Sequence, residues 1–373
     1  MPPEAAAALR LLVVARLQDH KLISKLAPLV ALPEVGEVTL VRRTPLALRG
    51  VRNLCPPAWL ERLGPLGTVL GELWRIATIL RECARRPRPS YVVAFYLVPH
   101  GLYAELARRL LGVPTILLTL NQLDIDNAFE WAPLLRALRA ASFVGVRGEN
   151  SRRRLIAAGL PPERLFDPPN VYDPPRCDAG SSPAAAETLD VVYVGALVPV
   201  KRVDRLLHAL DQVRRQRPGL SAALIGEGVE RARLEALTGR LGLTDVVQFA
   251  GWCAPSEVPG WLSRARLFVM TSEFEGLPMA MVEALSCGVP VIVPDVGDVT
   301  MVARDGENAW VVPSREAPAF AEAILALLQD EPRRQRLAAG ARLTRERFAQ
   351  DYSLEAAMEV WRGILAPQGA GAR

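Results

Sequence analysis

Short runs of β-branched and aromatic residues alternate along the whole chain with stretches of helical periodicity, and this alternation narrows the fold more than any other feature. In the first half, Leu11-Leu-Val-Val-Ala15, Val38-Thr-Leu-Val41, Tyr91-Val-Val-Ala-Phe95, Thr115-Ile-Leu-Leu118 and Ser142-Phe-Val-Gly-Val146 read as strands. In the second half the same reading falls on Asp190-Val-Val-Tyr-Val194, Ala222-Ala-Leu-Ile225, Val246-Val-Gln-Phe249, Leu267-Phe-Val-Met270 and Val289-Pro-Val-Ile-Val293. Runs this continuously apolar suit strands buried on both faces, as in parallel sheets covered by helices. The helical stretches fit that arrangement. Leu102–Leu111 closes at Gly112, Val203–Gln216 is amphipathic, and a last helix is expected at 353–365 after Asp351. Between 150 and 159, Asn150 or Ser151 is expected to cap a helix that Gly159 ends.

A chain of 373 residues can build two such domains, each with its own core. Residues 174–188, rich in Pro, Ser, Gly and Ala without hydrophobic periodicity, mark the linker. That leaves an N-terminal α/β domain at 1–173 and a second one at 189–350. No apolar run approaches the roughly 18 residues needed to span a bilayer. The apolar N-terminus lacks a basic leader and is broken by Arg10, so it reads as a first strand and not as a signal peptide. Five cysteines, odd in number and without a C-x-x-C pair, fit reduced thiols in a cytoplasmic protein. The three histidines show no ligand spacing, so no structural metal is expected.

Charge is uneven. Residues 1–176 hold 24 Lys/Arg against 15 Asp/Glu, whereas the remainder holds 21 against 25. The basic half suits an anionic membrane surface or an acidic, lipid-linked ligand, with a merely solvated surface as the plain alternative. Nucleic acid is not expected, because the basic residues are dispersed and no aromatic platform accompanies them.

The densest chemistry lies in Ser272-Glu-Phe-Glu-Gly-Leu-Pro-Met-Ala-Met-Val-Glu-Ala-Leu-Ser-Cys-Gly-Val-Pro-Val-Ile292. Glu275 sits in a loop with Gly276, Leu277 and Pro278, and Glu283 lies eight residues on, in the helix that the loop opens. Pro278 suits the first helical position and Gly288 the residue past the last. A loop entering a helix N-terminus presents backbone N–H groups and the positive end of a dipole to an anion. Two carboxylates beside it suit sugar hydroxyls, each such charge-assisted bond contributing roughly 1.5–3 kcal/mol. Taken by its spacing alone, the pair could equally be two solvated glutamates on an amphipathic helix. Lys201 follows the turn at Gly195 by six residues, where a cation could neutralise a diphosphate leaving group. Gly226-Glu227-Gly228 forms a second tight turn, and Trp252 follows a later strand. In the first half, His100 ends one strand, while Asn121 and Asp124 follow the next. Asp124-Ile-Asp126 matches a metal-binding D-x-D triplet, but so short a pattern arises readily by chance.

The segment from Ser272 through Glu275, Gly276, Glu283, Ala284, Gly288 and Pro290 resembles the donor-binding motif of family-4 glycosyltransferases. The likeness is specific over residues 190–350, looser over 85–173 and weak before that. It implies the GT-B fold, two Rossmann-like domains with parallel sheets facing a central cleft, and a C-terminal helix at 351–366 that rejoins the first domain. It implies a retaining transfer from a nucleotide diphosphate sugar to a glycan or lipid-linked acceptor, with no resident cofactor and no metal. Glu275 would hold the transferred sugar and Glu283 the ribose. Lys201 would act with Glu275 in catalysis. Gly195, Arg202, Gly226, Glu227, Gly228, Trp252, Gly276, Leu277 and Pro278 would complete the donor site, and His100, Asn121 and Asp124 would lie on the acceptor side. Two positions depart from the pattern: Ala196 stands where the family has an arginine, and Asn121 where relatives have a histidine. A sugar-binding protein without catalysis and a nucleotide-sugar epimerase of the same fold are the alternatives. The expected location is cytoplasmic, peripheral to the inner face of the membrane.

Overall fold

The computed structural model describes residues 8–119, 122–172 and 188–366. The chain divides into two compact units, one formed by residues up to Tyr172 together with those from Asp351 onward, the other by the residues between.

The first unit holds β1 (Leu9–Val14), β2 (Val35–Val41), β3 (Val51–Leu54), β4 (Tyr91–Phe95), β5 (Thr115–Thr119), β6 (Phe143–Val146) and β7 (Leu165–Phe166). They form one sheet in the order β3-β2-β1-β4-β5-β6-β7, with every pairing parallel. Alternation along β1 explains why both faces are covered. Leu12 and Val14 join Val92, Ala94 and Leu117 in one core, whereas Leu11 and Val13 join Leu22, Leu26 and Ile116 in the other. The second core contains Trp361 from the helix Leu354–Leu365, so the end of the chain completes the first unit. Ser353 caps that helix by accepting from the Ala356 N–H at 3.0 Å, and Trp361 meets Phe166 edge-on at 5.7 Å between ring centres.

The second unit holds β8 (Leu189–Val194), β9 (Ala222–Ile225), β10 (Val247–Gly251), β11 (Ala265–Val269), β12 (Val291–Pro294) and β13 (Ala309–Val312). Their order is β10-β9-β8-β11-β12-β13, again all parallel. The helix Val203–Gln216 buries Val203, Leu206, Leu207, Leu210 and Val213, the stripe that a period of 3.6 residues places on one face. It shares a core with the helix Ala317–Gln329.

Several local expectations need correction. The helix after β6 spans Glu149–Ala157 and starts from Gly148, so neither Asn150 nor Ser151 is its cap. Gly148 has φ +82°, a turn from strand to helix that glycine makes without strain. Pro278 is the N-cap of the helix Met279–Ser286 and not its first residue, and its carbonyl accepts from the Met281 N–H at 3.1 Å. Cys55, Cys83 and Cys253 are free, but Cys287 is disulfide-bonded, against the expectation of reduced thiols throughout. The strands β3, β7 and β13 and the 21-residue helix Gly64–Ala84 were not anticipated from the sequence. No helix among the described residues is long and apolar enough to cross a membrane.

Candidate active site

In each sheet the strand order reverses direction between two adjacent strands, β1 and β4 in the first unit and β8 and β11 in the second. Open α/β sheets bind ligands at that reversal, outside the C-terminal ends of the strands. In the second unit the loops leaving β8 and β11 carry Lys201 and Glu275. The Lys201 ammonium lies 2.6 Å from Glu275 Oε1 and 2.7 Å from Oε2. Ser272 Oγ donates to Oε1 at 2.6 Å. Glu275 is 7% exposed, and the Lys201 side chain is 25% exposed, so the cation is the accessible member of the pair. Lys201 is one of only three lysines in a chain rich in arginine.

The backbone fixes this pair. The Glu273 N–H donates to the Val200 carbonyl at 2.8 Å, joining the two loops directly. Thr271 Oγ1 donates to the Arg202 carbonyl at 2.8 Å, and Arg205 Nη1 donates to the Thr271 carbonyl at 2.8 Å. Tyr193 is buried beneath the first loop, its hydroxyl donating to the Ala196 carbonyl at 3.0 Å. Burial, followed by the Glu275 charge, pushes that phenol well above its ordinary range, so it stays a neutral donor.

Glycines set how closely the loops pack. A Cβ on Gly226, whose φ is +140°, would lie 1.9 Å from the Gly195 carbonyl oxygen. On Gly297, whose φ is +55°, it would lie 1.6 Å from the Glu275 carbonyl oxygen. A Cβ on Gly228 would lie 2.1 Å from the Leu197 carbonyl oxygen. The loops after β8, β9, β11 and β12 therefore interlock at the same end of the sheet. Glu283, on the Met279–Ser286 helix, belongs to that end too. Burial, with the charges of Glu257 and Glu283, pushes the Cys253 thiol up, which puts Glu283 near the segment after β10 that carries Trp252. Trp252 is 71% exposed. Val200, Val229, Phe274 and Met301, in the segments that follow β8, β9, β11 and β12, are exposed. Gly276 is exposed with open space around it, Leu277 is half-buried and Pro278 is buried.

Some residues expected at the donor site point elsewhere. Arg202 is not on a helix face but caps the Val203–Gln216 helix with φ +48°. Its guanidinium bonds Asp204 at 3.1 Å and Glu273 at 3.3 Å, so it does not join Lys201. The Glu227 carboxylate is exposed and pairs with Arg231. In the first unit, His100 is 1% exposed, with Nδ1 2.8 Å from the Phe95 carbonyl, and burial lowers its pKa. Asp124 is also buried and accepts the Leu97 N–H at 3.1 Å, so it supports the turn that carries His100. Asn121 lies outside the described residues. No group of three or more His, Cys, Asp or Glu among the described residues is placed to hold a metal ion.

Two residues matter more than the sequence alone indicated. Ser272, noted only as part of the motif, is a direct partner of Glu275. Glu273 gathers Arg202, Arg205 and Arg315 into one cluster behind the loop.

Comparison with known proteins agrees with the topology. The structure superposes on sucrose-phosphate synthase from Thermosynechococcus elongatus with a TM-score of 0.74, 19% identity, and coverage of 96% of this chain and 99% of the other. It superposes on HepE from Anabaena, in complex with UDP and glucose, with a TM-score of 0.72, 18% identity, and coverage of 96% and 100%. The architecture is therefore that of the GT-B proteins. Residues 179–344 match the family model for glycosyl transferases group 1. In sequence it is 28% identical to a D-inositol 3-phosphate glycosyltransferase of Streptomyces bingchenggensis, over 81% of this chain and 64% of that protein. It is also 28% identical to an alpha-D-kanosaminyltransferase of Streptomyces kanamyceticus, over 72% and 74% respectively.

Proposed function

We propose that this protein is a family-4 glycosyltransferase that moves a sugar from a nucleotide diphosphate donor to a hydroxyl of a glycan or lipid-linked acceptor, with retention at the anomeric carbon. The observation that carries the reading is the Lys201–Glu275–Ser272 constellation at the strand-order reversal of the second unit. A carboxylate offers about four lone-pair sites. Lys201 and Ser272 occupy three, leaving one for a sugar hydroxyl. An ammonium has three donors. Glu275 takes two, leaving one for a phosphate oxygen. The pair can therefore hold sugar and leaving group together without first breaking apart. The solved HepE complex, which contains UDP and glucose, supports a nucleotide-sugar donor here.

On this reading Glu283 holds the ribose, and Trp252 offers its exposed ring near the base. As the glycosidic bond breaks, charge grows on the leaving diphosphate, and Lys201 with the N-terminus of the Met279–Ser286 helix stabilises it. The departing phosphate takes the acceptor proton, so the chain needs no resident cofactor or metal. With Ala196 uncharged and Arg202 held by Asp204 and Glu273, a single cation does work that two do in the family pattern. That same fact favours the second reading, a protein that binds a nucleotide sugar without transferring it. The surface of the first unit supports a peripheral, cytoplasmic-face membrane location for glycolipid or cell-surface polysaccharide synthesis. Trp59, Leu63, Leu66, Val69 and Leu73 are exposed on or just before the Gly64–Ala84 helix, with Arg62 among them and Arg43 paired to Glu61 at 3.0 Å.

A thermal-shift screen over nucleotide sugars, followed by calorimetry on Glu283→Gln, tests the donor site, because a ligand that binds only the folded state raises its melting temperature. Stabilisation by one nucleotide sugar, lost in Glu283→Gln, supports the reading. No stabilisation by any of them defeats it. Binding without product across an acceptor panel selects the non-catalytic alternative, and an altered donor sugar with no acceptor present, seen by NMR, selects an epimerase.

A further inference from the structure

Glu273 stands between Ser272 and Glu275, and its backbone belongs to the same arrangement through the N–H that donates to the Val200 carbonyl. Its side chain has different partners. Oε2 accepts from Arg202 Nη1 at 3.3 Å and from Arg205 Nη2 at 3.0 Å, and Oε1 accepts from Arg315 Nη1 at 2.6 Å. The guanidinium groups come from three parts of the unit. Arg202 ends the loop after β8, Arg205 lies on the Val203–Gln216 helix and Arg315 follows β13. Asp204 takes the other edge of Arg202, accepting from Nε at 3.1 Å and from Nη2 at 3.3 Å. Arg205 is 7% exposed and also donates from Nη1 to the Thr271 carbonyl at 2.8 Å, one residue before Ser272. Hydrogen bonds from Arg205 and Arg315 hold the Glu273 carboxyl below the usual carboxylate range, so it is ionised at neutral pH.

The charges of this cluster do not cancel. Arg233 reaches Asp204 at 3.8 Å, but Glu230 balances it. That leaves the guanidinium groups of Arg202, Arg205 and Arg315 against the carboxylates of Glu273 and Asp204. Arg202 is the chain neighbour of Lys201, and Glu273 stands two residues before Glu275, so the cluster continues the Lys201–Glu275 pair along both loops. Charge-assisted bonds to a guanidinium fork fix direction as well as distance. A reacting group displaced by about 1 Å can lose about 10²-fold in rate. We propose that Glu273 is a positioning residue for the Lys201–Glu275 pair. It ties the segments after β8, β11 and β13 together, and it neutralises Arg202 and Arg315, so that Lys201 is the cation offered to a leaving diphosphate. The diphosphate rests on the transferase reading above; the tie between the segments does not.

The test is Glu273→Gln in the full chain. The change removes one negative charge, so the excess of cation beside the pair grows while the tie loosens. In calorimetric titrations with UDP, GDP and ADP, whichever diphosphate the wild type binds should be held about threefold more tightly, the effect of one added charge about 7 Å away in water. Single-turnover transfer should slow about tenfold, as a displaced group does. A side chain that only supported the fold would lower affinity and rate together with the melting temperature, so opposite signs identify positioning. Lys21, Lys25 and Lys201 are the only lysines of the chain. With isotope-labelled lysine, the NMR signal missing from Lys201→Ala therefore reports on the pair directly. That signal should shift in Glu273→Gln and return most of the way in Glu273→Asp, which keeps the charge. Arg315→Gln, at an exposed position, removes a cation instead and should weaken diphosphate binding about threefold; it carries the charge argument should Glu273→Gln not fold. An unmoved Lys201 signal, or affinity and rate that fall together, would overturn the proposal. If no diphosphate binds the wild type, the transferase reading fails, and the Lys201 signal alone decides whether Glu273 positions the pair.

Discussion

The two sheets repeat one strand order, yet the residues beyond their reversal points are of different kinds. In the second unit the loops are drawn together by Gly195, Gly226, Gly228 and Gly297, and they present one lysine paired to one buried carboxylate. In the first unit the corresponding end is lined by partly unsatisfied arginines around a cavity. Among the described residues only Tyr96 and Arg202 have positive φ without being glycine, at 68° and 48°. Tyr96 directly follows β4, and Arg202 ends the loop after β8, so each unit places its backbone strain beside its own reversal point. Strain held at a ligand-binding end is common where surrounding packing fixes the geometry. One scaffold thus supports two chemistries, a charge-balanced pair in one unit and an excess of cation in the other.

The comparison breaks most easily at the cores. The first unit depends on Trp361 from the chain's last helix, 1% exposed against Phe166. Trp361→Ala should cost about 3–5 kcal/mol by urea denaturation. Trp361→Phe should cost less than about 1.5 kcal/mol, because the indole N–H has no partner to lose. Similar midpoints for the alanine variant and the wild type would remove the last helix from the first unit's core.

The next largest effect belongs to the second unit. If Lys201 is its one cation for the leaving group, Lys201→Ala should lower turnover by about 10²–10³, the usual loss for a preorganised charge. Single-turnover kinetics at saturating donor would show it. An unchanged rate would mean that another cation reaches the phosphates, and the contrast between a one-cation and a many-arginine end would weaken.

Much of the second unit could be read from the sequence because its chemistry is local. Glu275, Gly276, Pro278, Glu283 and Gly288 fall within fourteen residues, so spacing alone suggested loop, helix and strand. Val203–Gln216 and Ala222–Ile225 coincide with the sequence reading. What spacing could not show was contact between residues 74 apart, the Lys201–Glu275 pair. Nor could it show that Arg202, next to Lys201, turns to Glu273 through a left-handed residue. The first unit was harder to read. Arg16, Arg42 and Arg75 come from three separate elements and form no motif. Arginine at each position looks like ordinary surface charge until the fold brings all three to the lining of one cavity. β3 and β7, four and two residues long, are too short for periodicity to mark.

Glycine tightening in the second unit gives the third prediction. Gly297→Ala would place a methyl on the Glu275 carbonyl oxygen, at a φ that also disfavours a side chain. The conformational part alone costs about 1–2 kcal/mol. With the overlap, a loss of about 2–3 kcal/mol is expected. Donor affinity should fall along with stability if, as proposed, the displaced backbone carries the carboxylate that holds the sugar. A stability loss with unchanged donor affinity would separate this loop from the site.

The smallest effect is a pH slope confined to the first unit. Lys25 is 8% exposed, its Nζ donating to Asn170 Oδ1 at 2.5 Å. Burial, then the charges of Arg147 and Lys21, bring its pKa down to about 7, while Asp167 opposes them. In an unfolded chain the same amine titrates near 10.4. Between about pH 7 and 10 the unfolded state therefore holds a proton that the folded state lacks, so stability should rise with pH across that window. The steepest contribution of one such group is about 1.4 kcal/mol per pH unit. Below about pH 7 the amine is charged in both states, and its contribution levels off. Urea midpoints measured from pH 6 to 10 should rise more steeply in the wild type than in Lys25→Met. The comparison cancels the cysteines and tyrosines that also titrate towards the alkaline end. Parallel curves would mean that Lys25 keeps its proton in the folded state, held by Asp167, and that the first unit tolerates a fully buried cation at neutral pH.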